Sequence, residues 1–446
     1  MWSEPGAILE RQRRRESSAR TYARWLDVVP VRAAGAEVEG ADGRRYLDCL
    51  AGAGALPLGH NHPEVVAALR DALDRGAPMQ ALDAATAEKD ELVETLFATL
   101  PPAFLATDPR IQFCGPAGTD AVEAAIKLTQ TATGRGGLLA FTGGYHGMTS
   151  GALAASGGVA PRRALGRAAL DVVRLPFPHP YRCPFGLGDR DGEVAADYAE
   201  RLLDDPEGGV LPAALMLVEP VQGEGGVVPA PDGWLRRMRA LCDRHGVPLV
   251  IDEVQTGVGR TGRLWGHEHA GVVPDALVVS KAVGGGLPLA AVVYRGDLDG
   301  WAPGAHAGTF RGTTLAMVAG ATTLRIVRRD GLAERAASLG DRIAGGLRRA
   351  LAGQPLVGEV RGRGLMLGVE VVDPTVEPDR LGSRPPAPER ARAVRGACLE
   401  RGLIAELGGR EGSVLRLLPP LTLTDEQAER VVETVAEAFA AAGDER

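Results

Sequence analysis

Three of the 50 basic lysine and arginine side chains in this 446-residue chain are lysine: Lys89, Lys127 and Lys281. Lys281 stands in "VVSKAVGGGLPLAAVVY" (278–294), between an apolar run and three glycines. A chain that uses arginine for nearly every positive charge has a chemical reason to keep an amine there. A lysine in a partly desolvated place sheds its proton and becomes a nucleophile. Arginine cannot do this, because its pKa is too high. A helix cap or a surface ion pair would be served equally well by arginine, so the residue type itself points to amine chemistry.

Other reactive side chains also follow apolar runs. "GLLAF" (137–141) leads into "TGGYHG", with Tyr145 and His146. "ALMLV" (214–218) leads into Glu219 and "PVQGEGG". "VPLVI" (247–251) leads into Asp252, Glu253, Val254 and Gln255, and "DALVVS" (275–280) into Lys281. None of these runs alternates with polar residues, and each is bounded by glycine, proline or charge. That is the pattern of strands buried on both faces of a parallel sheet. "DGWLRRMRALCDRHG" (232–246) carries Trp234, Leu235, Met238 and Leu241 at helical spacing and ends on glycine, which completes a strand–helix–strand unit. In such sheets ligands bind beyond the carboxyl ends of the strands.

A lysine that forms a Schiff base with pyridoxal phosphate needs three companions. A carboxylate must keep the pyridine nitrogen protonated, and Asp252 follows a buried strand as that role demands. An aromatic must stack on the ring, and Tyr145 is the candidate. An anion site is best made of backbone N–H groups at a helix start, and "CGPAGTDAVEAAIKL" (114–128) offers one. This turn has neither the Walker lysine pattern nor the dinucleotide G-x-G-x-x-G spacing. Val122, Ala125, Ile126 and Thr129 form one stripe of its helix, and Asp120 with Glu123 has the spacing of a capping box.

The rest of the chain bounds the answer. With 45% hydrophobic and 24% charged residues it reads as a globular protein of two or three domains. A net charge of −7 argues against nucleic acid as a partner. "RQRRR" (11–15) reads as a solvated helix or subunit-contacting arm. Five scattered cysteines point to reduced thiols. No apolar run approaches the ~20 residues that span a bilayer, and no signal-peptide core opens the chain, so the expectation is cytoplasmic with no membrane partner. "HNH" (60–62) and "HEH" (267–269) lack a third ligand, so no metal is expected. Cys114 reads as core, Lys89 and Lys127 as solvated faces, and Glu253 as an orienting or capping group. Arg311 reads as a contact to a substrate carboxylate or to a second subunit. The stretch 372–390 reads as an exposed connection, followed by helices over 391–402 and 425–442 around a strand at 413–423.

Together these motifs resemble the class III aminotransferases of pyridoxal-phosphate fold type I. The resemblance runs from about residue 20 to 435 through "YLDCLAGAGALPLGHNHP", "GTDAVEAAIKL", "GYHG", "EPVQGEGG", "VIDEVQTGVGRTG", "SKAVGGGLP" and "GTFRG", in family order. It implies an α/β fold: a large domain with a mainly parallel central sheet and a smaller domain built from both chain ends. The expected divisions are 1–75 (amino-terminal arm and part of the small domain), 76–335 (cofactor-binding domain) and 336–446 (carboxy-terminal small domain).

The resemblance also implies roles. Lys281 carries the Schiff base, Asp252 pairs with the pyridine nitrogen and Gln255 reaches the ring hydroxyl. Tyr145 stacks on the ring, Val254 packs on its other face, and His146 belongs to the cofactor-binding set. Gly118 and Thr119 hold the phosphate with Thr309 of a neighbouring subunit, which implies a homodimer with shared active sites. Glu224 pairs with Arg416 and releases it to bind the keto acid. Met148 stands where many members have arginine, Thr313 where asparagine is usual, and Ala53 and Gly54 where some relatives are bulky. These departures bear on the substrate pocket, with Met148, Ala53 and Arg311 as substrate-contact candidates. The wording is most similar to diaminobutyrate–2-oxoglutarate aminotransferases, judged by "ESSARTYAR" (16–24), "DCLAGAGALPLGHNHP" and "YHGMTSGALAASG". The implied reaction is transfer of a terminal amino group to 2-oxoglutarate. Ornithine, acetylornithine or 4-aminobutyrate as donor, or a same-fold aminomutase, are the alternatives.

Overall fold

The structure, a computed structural model, describes residues 5–163 and 170–444. Residues 1–4, 164–169, 445 and 446, which fall within the three expected domains, lie outside the described residues. Seven strands make the central sheet: β1 (Arg110–Phe113), β2 (Gly137–Phe141), β3 (Val172–Leu175), β4 (Ala213–Val218), β5 (Leu249–Asp252), β6 (Ala276–Val279) and β7 (Ala291–Tyr294), in spatial order β1-β7-β6-β5-β4-β2-β3. Parallel ladders join β6 to β5, β5 to β4, β4 to β2 and β2 to β3. Only β7 runs against its neighbours β6 and β1.

The unbroken apolar runs follow from burial on both faces. Leu138, Ala140, Val250, Ala276 and Val278 pack with Val122, Ala125 and Ile126 of helix α1 (Gly118–Thr133). The alternate residues Leu139, Phe141, Leu249, Ile251, Leu277 and Val279 pack with Trp234, Leu235, Met238 and Leu241 of helix α2 (Asp232–His245). Successive strand residues face opposite sides, so a strand between two helical layers must be apolar throughout. Gly246 closes α2 in the left-handed conformation.

The expected capping box is arranged differently. Asp120 lies inside α1, where it accepts from the Ala117 N–H at 3.1 Å. Glu123 instead accepts from the N–H groups of Gly151 and Ala152 and so caps the helix Ser150–Ala155.

Two four-stranded sheets flank this unit. One joins Pro30–Ala34, Glu37–Gly40 and Arg45–Asp48 to Leu403–Ile404, which runs parallel to the last of these and ties the two chain ends together. The other holds β8 (Val357–Arg363), β9 (Met366–Val371), β10 (Glu406–Gly408) and β11 (Val414–Leu417), antiparallel in the order β8-β9-β11-β10. The strand expected over 413–423 stops at Leu417, because Pro419 and Pro420 cannot extend a ladder. Helices Pro388–Glu400 and Asp425–Asp444 cover this region, near their expected positions.

Helix Pro5–Arg15 buries no residue. All five cysteines are free thiols. Among the described residues no helix is long and apolar enough to cross a membrane.

Candidate active site

Four parallel strands deliver the reactive groups to one edge. Asp252 is the last residue of β5, Lys281 follows β6, Glu219 follows β4, and Tyr145 and His146 follow β2. Asp252 is buried, with its Oδ2 2.8 Å from His146 Nδ1 and its Oδ1 accepting from the Val254 N–H at 3.1 Å. His146, expected to contact the cofactor, is placed as the buried partner of Asp252. Burial disfavours its charged form, but the Asp252 hydrogen bond and the charges of Asp252 and Glu219 outweigh it, so its pKa lies above the ordinary value.

Lys281 follows the buried run with a left-handed backbone, φ 48°. Such a conformation costs a non-glycine residue of order 1 kcal/mol and is characteristic of functional positions. Among the described residues its amine has no hydrogen-bond partner. Burial lowers its pKa below the ordinary lysine value. Glu224, Asp252 and Glu219 oppose that shift, and Arg416 adds to it.

Beside this edge, Gly118 opens α1 and packs on Val254. A Cβ there would lie 2.9 Å from Val254 Cγ1. The first-turn N–H groups of a helix have no intrahelical acceptor, and here they open beside Val254 and Ser280. The Thr119 hydroxyl lies 2.6 Å from that of Thr149. Gln255 donates to the Ala53 carbonyl at 3.4 Å, while its Oε1 is buried without a partner. A free amine, an unpaired buried amide oxygen, a buried carboxylate and a helix amino terminus are the donor set that pyridoxal phosphate requires.

Arg416, fully buried on β11, is held by Glu224 through two hydrogen bonds of 2.7 and 3.0 Å. It is also held by Glu406 at 2.7 Å. Arg311 is committed to its own loop, where it donates to the carbonyls of Gly308 and His306. Asp83 lies 3.6 Å from its guanidinium. Thr309 is exposed on that loop, and Thr313 accepts from Gln80 at 2.9 Å. Tyr145 and Met148 are exposed. Ala53 lies in a left-handed turn at φ 56°.

The surrounding residues fall mostly where the sequence placed them. Glu253 accepts from the N–H of Gly266 and from both the N–H and the ring of His267, an orienting role. His269 faces the Thr261 carbonyl. Lys89 departs from its expected solvated face: it lies over the Phe113 ring, half-buried, with its pKa lowered by burial.

Two carboxylates of the site had no assigned role in the sequence reading. Glu219 accepts from the N–H groups of Tyr145 (2.9 Å) and Gly223 (3.0 Å), which ties the aromatic loop to the loop of Glu224. Burial pushes its pKa up to about 7; the His146 charge opposes this and Asp252 adds to it. Its signal was available, since Glu219 ends an apolar run as Asp252 does. Glu406 had no such signal, because its place is set by strand register alone.

The whole chain has the same likeness. Residues 17–439 match the family model "Aminotransferase class-III". The chain is 54% identical over 432 residues to the diaminobutyrate–2-oxoglutarate aminotransferase of Rhizobium meliloti, covering 97% of this chain and 92% of that protein. It is 44% identical over 428 residues to the Haemophilus influenzae protein of the same name, covering 96% and 93%. Among solved structures it is similar to an amine transaminase from an uncultivated Pseudomonas species in its PLP-bound form. That match has a TM-score of 0.85 at 30% identity and covers 96% of this chain and 98% of that one. The chain therefore belongs to the class III aminotransferases, pyridoxal-phosphate-dependent enzymes of fold type I.

Proposed function

We propose that this enzyme moves the terminal amino group of L-2,4-diaminobutyrate to 2-oxoglutarate in a ping-pong cycle. The observation that carries the reading is the bidentate Glu224–Arg416 pair in the electrostatic neighbourhood of Lys281. A terminal-amine donor has no carboxylate next to its reacting carbon, whereas 2-oxoglutarate has one. An arginine masked by a movable carboxylate serves both. The names of the relatives support the donor assignment, and they do not favour ornithine, acetylornithine or 4-aminobutyrate.

When bound, pyridoxal phosphate supplies an aldehyde that condenses with amines and a ring that accepts electrons as the adjacent C–H bond breaks. The protein residues would divide the remaining work. Lys281 Nζ would hold the cofactor and would move the proton of the donor's terminal carbon. Asp252, held by His146, would keep the pyridine nitrogen charged. Tyr145 and Val254 would hold the ring, Gln255 its hydroxyl, and Gly118 and Thr119 the phosphate. Glu224 withdraws to let Arg416 bind the α-carboxylate of the keto acid.

A homodimer, with Thr309 completing the phosphate site of the second copy, fits the exposure of that loop. The proposed division is 1–75, 76–335 and 336–446, and the pairing of Arg45–Asp48 with Leu403–Ile404 supports a small domain built from both chain ends. Free thiols throughout support a reducing, cytoplasmic setting. An isotope label on the terminal nitrogen of diaminobutyrate should appear in glutamate. A label that arrives only from the α-nitrogen contradicts the reading.

A further inference from the structure

Arg416 is surrounded by more negative charge than its neutralisation needs. Glu224 contributes one carboxylate and Glu406 a second, 2.7 Å from Nη2, so the three groups carry a surplus of one negative charge. The two carboxylates differ in how they are mounted. Glu406 and Arg416 are directly opposed on the antiparallel strands β10 and β11. Opposed residues share a face, so the ladder itself fixes this pair. Gly408 makes the room, because a Cβ there would lie 2.6 Å from Arg416 Nε. Glu224 comes from the glycine-flanked loop after β4, and its side chain is 33% exposed against 12% for Glu406. Tyr22, from the amino-terminal segment, and Lys281 both lie within electrostatic reach of Glu406, so the carboxylate shares the surroundings of the reactive amine.

We propose that Glu406 is the specificity-determining carboxylate of the donor half-reaction. It stays on Arg416 while Glu224 moves, and together with Tyr22 it receives the α-ammonium of a diamino donor. With Glu224 seated, the cluster attracts a donor whose free end carries an ammonium group. It disfavours one whose free end is a carboxylate alone. With Glu224 withdrawn, Arg416 and Glu406 remain a neutral pair, so no bare buried cation appears before the keto acid arrives. An uncompensated buried charge of that kind is costly. The inference rests on the diamino-donor reading and adds the residue that enforces it.

The test compares L-2,4-diaminobutyrate with 4-aminobutyrate, the same skeleton without the α-ammonium. Single-turnover kcat/KM for each is measured from the cofactor absorbance of the holoenzyme. In Glu406→Gln the ratio of the two should fall about tenfold or more, mainly through weaker saturation by the diamino acid. Cofactor absorbance should be retained. Tyr22→Phe should move the ratio in the same direction by about threefold, and it decides the matter if Glu406→Gln does not fold. A wild type that prefers diaminobutyrate, with variants that keep that ratio within about twofold, overturns the role of Glu406 and leaves the substrate reading standing. A wild type with no such preference overturns the substrate reading and this inference with it.

Discussion

As the proposed Schiff-base amine, Lys281 relies on burial, which lowers its pKa, and on a left-handed backbone position just after a buried strand. Replacing it with alanine should lower turnover by at least about a thousandfold. The absorbance band of lysine-bound cofactor should also disappear. The pKa of a buried lysine lies below its ordinary ~10.4, and the amine is neutral above its pKa. The rate at which cofactor-free protein captures pyridoxal phosphate should therefore rise with pH and level off at a midpoint under that value. A midpoint at or above it would refute the desolvation argument. Asp252→Asn should keep the cofactor but lose about a hundredfold or more in turnover, because the uncharged amide no longer holds a proton on the pyridine nitrogen. Glu224→Ala leaves Arg416 permanently unmasked on one side. It should erode discrimination between the diamino donor and glutamate far more than cofactor affinity, and equal loss of both would count against the switch. Lys281 and Asp252 were legible in the sequence because chemistry dictates their types and each follows an apolar run. The partners that tune them were not. His146 meets Asp252 across 106 residues, and Glu406 meets Arg416 through strand register.

At the level of elements, the site is an edge where four parallel strands stop together and helix α1 begins. The four strands that deliver it were readable because helices cover both faces, which removes polar alternation. The antiparallel direction of β7 was not readable, since an apolar run carries no direction. Glu123 illustrates the same limit: its spacing from Asp120 fits a local box, yet its acceptor capacity goes to a helix that begins 27 residues later. The start of α1 depends on Gly118 lying against Val254. Gly118→Ala should cost about 1–3 kcal/mol, read as a lower unfolding temperature. It should also raise the dissociation constant for pyridoxal phosphate, because the helix amino terminus is pushed away from the cleft. A variant with unchanged cofactor affinity would remove that turn from the phosphate site.

At the scale of the whole molecule, both chain ends meet in one small sheet, and the strands carrying Arg416 and Glu406 stand beside the edge of the large one. Activity thus depends on the placement of one unit against the other and, in the proposed homodimer, on a second copy. Mixing inactive Lys281→Ala with a Thr309→Ala variant of weakened cofactor affinity tests the shared site. Subunit exchange should rebuild one intact site per mixed dimer and restore part of the activity, and no recovery would argue for self-contained sites. The central claim, transfer of a terminal amino group in two separable halves, is tested most directly by a half-reaction measurement. Purified holoenzyme is mixed with L-2,4-diaminobutyrate alone while the cofactor spectrum is followed, and 2-oxoglutarate is then added. The expected result is one stoichiometric conversion to the amine form of the cofactor, which stops there and reverses only when the keto acid arrives. Continued turnover of the diamino acid with no keto acid present, or no spectral change with it, would contradict the account.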